Sequence, residues 1–267
     1  MRKLYIVEGI PGSGKTTTAL WLAEVLKIRG NNVKVFLEGN PDNPADFESV
    51  ACLNELQIHD LEKQFPEVRA LAELKNGRFF ISYGHLFETN PDLHKALQRY
   101  DVYELPIADF YEVTLDKWQE FANKALIDEE VYVLECCFLQ NPFTFLLAKH
   151  DVEKKLIFNH IEKIAQKIAD LEPTILYFEQ DNIKESINRV RNERSKDWFE
   201  FLTWYYTEQS YGQARNLKGE AGVVHFLNER KQLEKEILSI LPIKSIFLNN
   251  SEYDWEKRKE EILFLVG

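Results

Sequence analysis

The 267 residues carry 33 lysines and arginines against 44 aspartates and glutamates, a formal net charge of −11, and are 45% hydrophobic and 29% charged. That balance fits a globular chain with one large core, or a core plus a modest insertion, and excludes a disordered chain; the acidic excess disfavours nucleic acid and anionic membranes as partners. No run of 18 apolar residues occurs, the stretch from Leu4 to Val7 is too short for a signal peptide, and three cysteines, two of them the adjacent Cys136 and Cys137, form neither a disulfide framework nor a zinc spacing, so a cytoplasmic chain with no membrane partner is expected.

In chain order, β-favouring apolar runs at residues 3–8, 33–37, 131–135, 174–178 and 244–249 alternate with helical stretches, the pattern of a parallel sheet built from βαβ units. The first helix starts at the Gly14-Lys15 step, presents Ala19, Leu22, Ala23 and Leu26 as one apolar stripe, and stops at Gly30. A second runs from about 152 to 170 with Ile157, Ile161, Ile164 and Ile168 on one face, and Pro173 leads out of it into the fourth run. Residues 39–130 and 195–241 are too long for simple crossovers. The first of these is expected to hold several helices and a small hairpin around residues 78–83 and 102–105. With no repeat, low-complexity tract or Gly/Ser linker, residues 1–267 read as a single domain with an acceptor-binding insertion at about 39–130 and a lid or acceptor region at about 182–241.

Gly9-Ile10-Pro11-Gly12-Ser13-Gly14-Lys15-Thr16 matches G-x-x-x-x-G-K-[ST] with a strand directly before it and a helix directly after. In this P-loop pattern glycines let backbone N–H groups turn towards phosphates, and a helix N-terminus adds partial positive charge. Gly9, Pro11, Gly12, Ser13, Gly14, Lys15, Thr16 and Thr17 are therefore the expected nucleotide contacts, with Lys15 on the β- and γ-phosphates and Thr16 as a magnesium ligand. The fold expected is α/β: a three-layer P-loop NTPase fold with about five parallel strands, helices on both faces, and helical insertions. No N-K-x-D tetrapeptide specifies guanine, and the third run ends in Glu135-Cys136-Cys137 where motor ATPases carry a D-E or D-D pair.

Over residues 1–42, 130–200 and 243–266 the chain resembles the nucleoside and nucleotide kinase group, including deoxynucleoside kinases and thymidylate kinase. The resemblance implies that Glu38, after the second run, is the base towards an acceptor hydroxyl, and that Glu135, after the third, lies near magnesium. The arginine that follows this glutamate in that family is replaced by Cys136. Arg189, Arg191 and Arg194 resemble the lid arginines that close over a transferring phosphate; they also fit a solvated helix paired with Glu185 and Glu193. The alternative for Glu135 is an acidic cap for a helix beginning near Pro142, and Asp42 or Asp46 fits a contact to the acceptor. Trp204, Tyr205, Tyr206 and Tyr211 suit either core or stacking on an aromatic acceptor, and the loop from Asn249 to Trp255 either borders adenine or caps a helix through Ser251 or Asp254. The function implied is an ATP- and Mg2+-dependent phosphotransferase moving the γ-phosphate to a hydroxyl of a nucleoside-like compound, metabolite or antibiotic. The alternative is a regulatory or defence-type ATPase that uses hydrolysis as a conformational switch. Oligomeric state is open, a homodimer included.

Overall fold

Short runs rich in Val, Ile, Leu, Tyr and Phe form the strands of this chain, for which a computed structural model describes residues 3–266. In order they are β1 (Leu4–Gly9), β2 (Asn32–Phe36), β3 (Val50–Leu53), β4 (Glu73–Lys75), β5 (Arg78–Ser82), β6 (Glu130–Glu135), β7 (Thr174–Glu179) and β8 (Lys244–Asn249). The five expected core runs are all strands, with ends displaced by at most one residue. The chain divides into two compact units, one of residues up to Glu38 and from Trp118 onward, the other Gly39–Lys117.

In the first unit β2, β6, β1, β7 and β8 lie side by side in that order, and every pairing is parallel. β1 sits centrally, with Ile6 opposite Leu134 on one side and Ile175 on the other. Because successive strand residues point to opposite faces, Tyr5, Val7, Val131, Val133, Leu176 and Phe178 share one face. They bury against Ala19, Leu22, Ala23 and Leu26 of the helix Lys15–Ile28 and against Ile262 of the helix Trp255–Val266. On the other face the Tyr177 hydroxyl donates to Glu234 of the helix Gly219–Ile240 at 2.7 Å. Helices thus flank the sheet, a three-layer α/β arrangement. The expected stripe Ile157, Ile161, Ile164 and Ile168 is buried along the helix Lys154–Ile168.

The order β2-β6-β1-β7 places the carboxyl ends of β1 and β6 next to each other. The chain leaving β1 and the chain leaving β6 therefore emerge at one point, the crevice where parallel sheets take ligands.

The second unit has its own antiparallel sheet, β3-β5-β4, and its own core around Ala51, Leu53, Ile58, Val68, Phe79, Ile81, Leu93 and Leu97. The expected hairpin is found with a different partner. β5 pairs with β4 across Asn76-Gly77, both at positive φ (48° and 75°), and with β3 on its other edge. Residues Val102–Glu104 form a 3-10 turn, not a strand, because the Asp101 carboxylate accepts the Tyr103 N–H at 2.8 Å and caps a helical start there. The helix Ile107–Ile127 then carries the chain back to β6. No described helix is long and apolar enough to cross a membrane.

Candidate functional site

After β1 the chain cannot continue extended. Gly9, Gly12 and Gly14 have φ of +142°, +75° and +99°, and a Cβ on Gly12 would lie 2.3 Å from Val190 Cγ2. Positive φ and close approach both demand glycine there. Gly14 is the N-cap of the helix Lys15–Ile28 and supplies no side-chain acceptor, so the first-turn N–H groups receive no cap of that kind. The loop is held from behind by its carbonyls. Ser186 Oγ donates to Pro11 O at 2.9 Å, Tyr253 Oη to Gly12 O at 3.0 Å, and Asn250 Nδ2 to Ser13 O at 2.9 Å. In a trans peptide the N–H points opposite the C=O, so the Gly12 and Gly14 N–H groups face away from Ser186 and Asn250. Thr16 and Thr17, in the first turn of the helix, are exposed.

Lys15 is buried, 5% exposed, and its ammonium donates to Ile10 O at 3.0 Å. Burial disfavours its charge, the carboxylates of Glu38 and Glu135 favour it, and the balance holds Lys15 above the ordinary lysine value. Parallel pairing of β1, β6 and β2 brings the next groups to the same point. The buried Glu135 carboxylate accepts the Thr16 hydroxyl at 2.7 Å and the Glu38 N–H at 3.2 Å. Glu38 is exposed; its Oε1 accepts Gln140 Nε2 at 2.5 Å and its Oε2 the Cys136 thiol at 3.5 Å.

One ligand-capable atom each from Glu38, Glu135 and Cys136 lie within 4.8 Å of one another. Burial keeps the Cys136 thiol well above its usual range, so it serves as a neutral donor. The hard oxygens of Thr16, Glu135 and Glu38 suit a magnesium-like cation, and the sulfur does not. Cys136 also takes φ +67°, a left-handed geometry costly for a side chain with a Cβ, immediately after β6.

Glu135 does not cap the helix near Pro142, since both its oxygens are taken by Thr16 and Glu38. The residue that does this work is Glu8, whose fully buried carboxylate accepts the N–H groups of Phe138 and Leu139 at 2.8 Å and Gln140 at 3.2 Å. Burial first, and Glu234 second, push Glu8 up to about 7 against the effect of those three bonds.

Of the three expected lid arginines, none is buried, and none pairs with Glu185 or Glu193 in the contacts they form. Arg189 covers the Tyr253 ring at 3.1 Å from its centroid, Arg191 pairs with Glu220 at 3.5 Å and covers Phe199, and Arg194 lies 6.0 Å from the Trp198 ring. The helix Ile183–Glu193, with Arg194 at its C-terminal end, meets the loop with its buried residues Ser186 and Val190. Asp42 and Asp46 belong to the other unit, where Asp42 N–H donates to Asn40 and Asp46 accepts Tyr103 Oη at 2.5 Å. Of the aromatic group, Tyr206 and Tyr211 are core against Phe226, while Trp204 remains 49% exposed beside Phe201. Asp254, not Ser251, caps the last helix by accepting the Lys257 N–H at 3.1 Å.

Two buried residues of the helix Gly219–Ile240 were not singled out from sequence: Arg230 and Glu234. The signal was present, because they occupy the same helical stripe as Val223, Phe226, Leu227, Leu233 and Ile237, where a charged pair four residues apart is out of place. Arg230 Nη2 donates to Gly9 O at 3.3 Å. No protein-family model matches the chain, and no curated protein matches it.

Proposed function

We propose that this chain is a P-loop phosphotransferase that moves the γ-phosphate of ATP to a hydroxyl of a small molecule. The observation that carries the reading is the convergence of buried Lys15, the Thr16–Glu135 hydrogen bond and Glu38 at the open end of the helix Lys15–Ile28. A nucleoside triphosphate lies along the 9–16 loop, its phosphates taking the uncapped N–H groups of the helix start. Lys15 exchanges Ile10 O for β- and γ-phosphate oxygens. Thr16 and Glu135 would hold the magnesium that accompanies the nucleotide, which would supply neutralising charge to the phosphates.

Glu38 accepts the proton of the acceptor hydroxyl as that oxygen forms its bond to the γ-phosphorus and the bond to the ADP oxygen breaks. Gln140 and Cys136 hold the Glu38 carboxylate from two sides, so its orientation is set before substrate arrives. Arg189, Arg191 and Arg194 are the cations available to close over the phosphate from the outside. The two glutamates thus have separate tasks, and that separation distinguishes a transferase from a switch ATPase.

The test is transfer from labelled ATP to pooled nucleosides, sugars and aminoglycosides by wild type, Glu38→Gln and Glu135→Gln. Glu38→Gln should bind MgATP normally and lose transfer by roughly 10²–10⁴-fold, the contribution of a positioned base. Glu135→Gln should suppress both transfer and acceptor-free hydrolysis. If Glu38→Gln behaves like wild type with every acceptor, the transferase reading is wrong.

A further inference from the structure

We propose that Arg230 is a second buried cation of the nucleotide site, acting with Lys15 on the terminal phosphate of ATP; this rests on the reading of the 9–16 loop given above. The guanidinium comes from the helix Gly219–Ile240 and has no solvent exposure. It donates through Nη2 to Gly9 O at 3.3 Å, while Lys15 donates to the very next carbonyl, Ile10 O, at 3.0 Å. Two buried cations therefore sit on consecutive carbonyls at the start of the loop.

The remaining bonding of Arg230 is incomplete. Nε lies 3.2 Å from Glu234 Oε1, near enough to pair in charge but not aligned as a hydrogen bond. Nη1 has no hydrogen-bond partner among the described residues. A guanidinium that served only to pin this helix would be expected to have its donors met, because leaving buried donors unpaired is costly. Glu234 is in turn fixed by the Tyr177 hydroxyl at 2.7 Å. The planar donor set of arginine matches phosphate oxygens, and in a low-dielectric site its charge acts with little screening. Glu234 holds the guanidinium by charge, and the weak bond to Gly9 O is readily given up to a stronger acceptor.

The experiment measures MgATP and MgADP affinity, acceptor-free hydrolysis and melting temperature for wild type, Arg230→Lys, Arg230→Met and the double variant Arg230→Met with Glu234→Gln. The double variant removes both charges together, so it remains informative if the single Met variant fails to fold. The preference for MgATP over MgADP should fall about tenfold or more in the double variant, MgADP affinity should stay within about twofold, and hydrolysis should drop by about 10²-fold. Arg230→Lys should recover part of the preference. Equal weakening of both nucleotides together with a lower melting temperature, or an unchanged preference, overturns the proposal in favour of a structural pin. Lys15→Ala run alongside separates the two levels. If it alone loses MgATP binding, only the role of Arg230 fails; if wild type binds no MgATP, the reading of the loop fails with it.

Discussion

The cations around the 9–16 loop are held in opposite ways on its two sides. Lys15 and Arg230 are buried, each donates to a loop carbonyl, and acidic groups surround them: Glu38 and Glu135 near Lys15, Glu234 beside Arg230. Arg189, Arg191 and Arg194 are exposed on the helix Ile183–Glu193 or at its end, engaged with Tyr253, Glu220, Phe199 and Trp198. A charge in the interior acts at full strength but must be balanced by buried partners. A charge in solvent is free to move and is screened. The inner pair therefore suits fixed stabilisation of phosphate charge, and the outer three suit a contact made only when the site closes.

The strongest test of the buried side uses Glu8, whose carboxyl shares its surroundings with Glu234. Its folded-state value of about 7 lies above its ordinary 4.5, so the folded chain binds the extra proton between those values. The contribution of Glu8 to stability therefore falls as pH rises through that window, by about 3 kcal/mol in all. His160 works in the opposite sense: burial, and then Lys163, lower it to about 3 from 6.5, so its contribution grows as pH rises across that interval. Glu8→Gln removes only the falling term. Urea unfolding at a series of pH values should show the variant gaining stability more steeply than wild type between pH 4.5 and 7, the window set by Glu8. Parallel curves would mean that Glu8 is not charged against its surroundings.

A smaller effect is expected on the exposed side. Arg189→Ala removes the cover of Tyr253, whose hydroxyl holds Gly12 O, and should lower phosphate transfer about fivefold, the upper scale of an exposed cation–aromatic contact. Arg191→Ala and Arg194→Ala should each lower it less than Arg189→Ala, because closing over the phosphate first costs these side chains their contacts with Glu220, Phe199 and Trp198. A loss of 10²-fold or more at Arg191 or Arg194 would show that the outer helix closes more tightly than its exposure implies.

Much of this was legible in the sequence because it depends on local rules. Strand positions followed from apolar runs, and the 9–16 loop from glycines that its turns and the packing of Val190 require. Glu38 and Glu135 were legible as strand-end acids. The Asn76-Gly77 turn of the second unit was an available signal that points to β4 as the partner of β5, ahead of any pairing with residues 102–105. What could not be read off is tertiary. The helix Gly219–Ile240 reaches Gly9 from 221 residues away, and nothing local says that Arg230 enters the interior beyond its place in an apolar stripe. Likewise Glu8, one strand residue before the loop, is engaged by N–H groups 130 to 132 residues later, and only the parallel neighbour relation of β1 and β6 brings them together.

The central claim is that the 9–16 loop holds a nucleoside triphosphate through Lys15. Calorimetric titration of MgATP into wild type and Lys15→Ala, with circular dichroism and melting recorded for both, tests it most directly. Wild type should bind one MgATP, and Lys15→Ala should weaken binding by about 10²-fold, the loss of charge-assisted bonds to phosphate. Its helix content should be unchanged, because the helix Lys15–Ile28 is stabilised by the burial of Ala19, Leu22, Ala23 and Leu26. Equal MgATP affinity in two equally folded proteins would contradict the account.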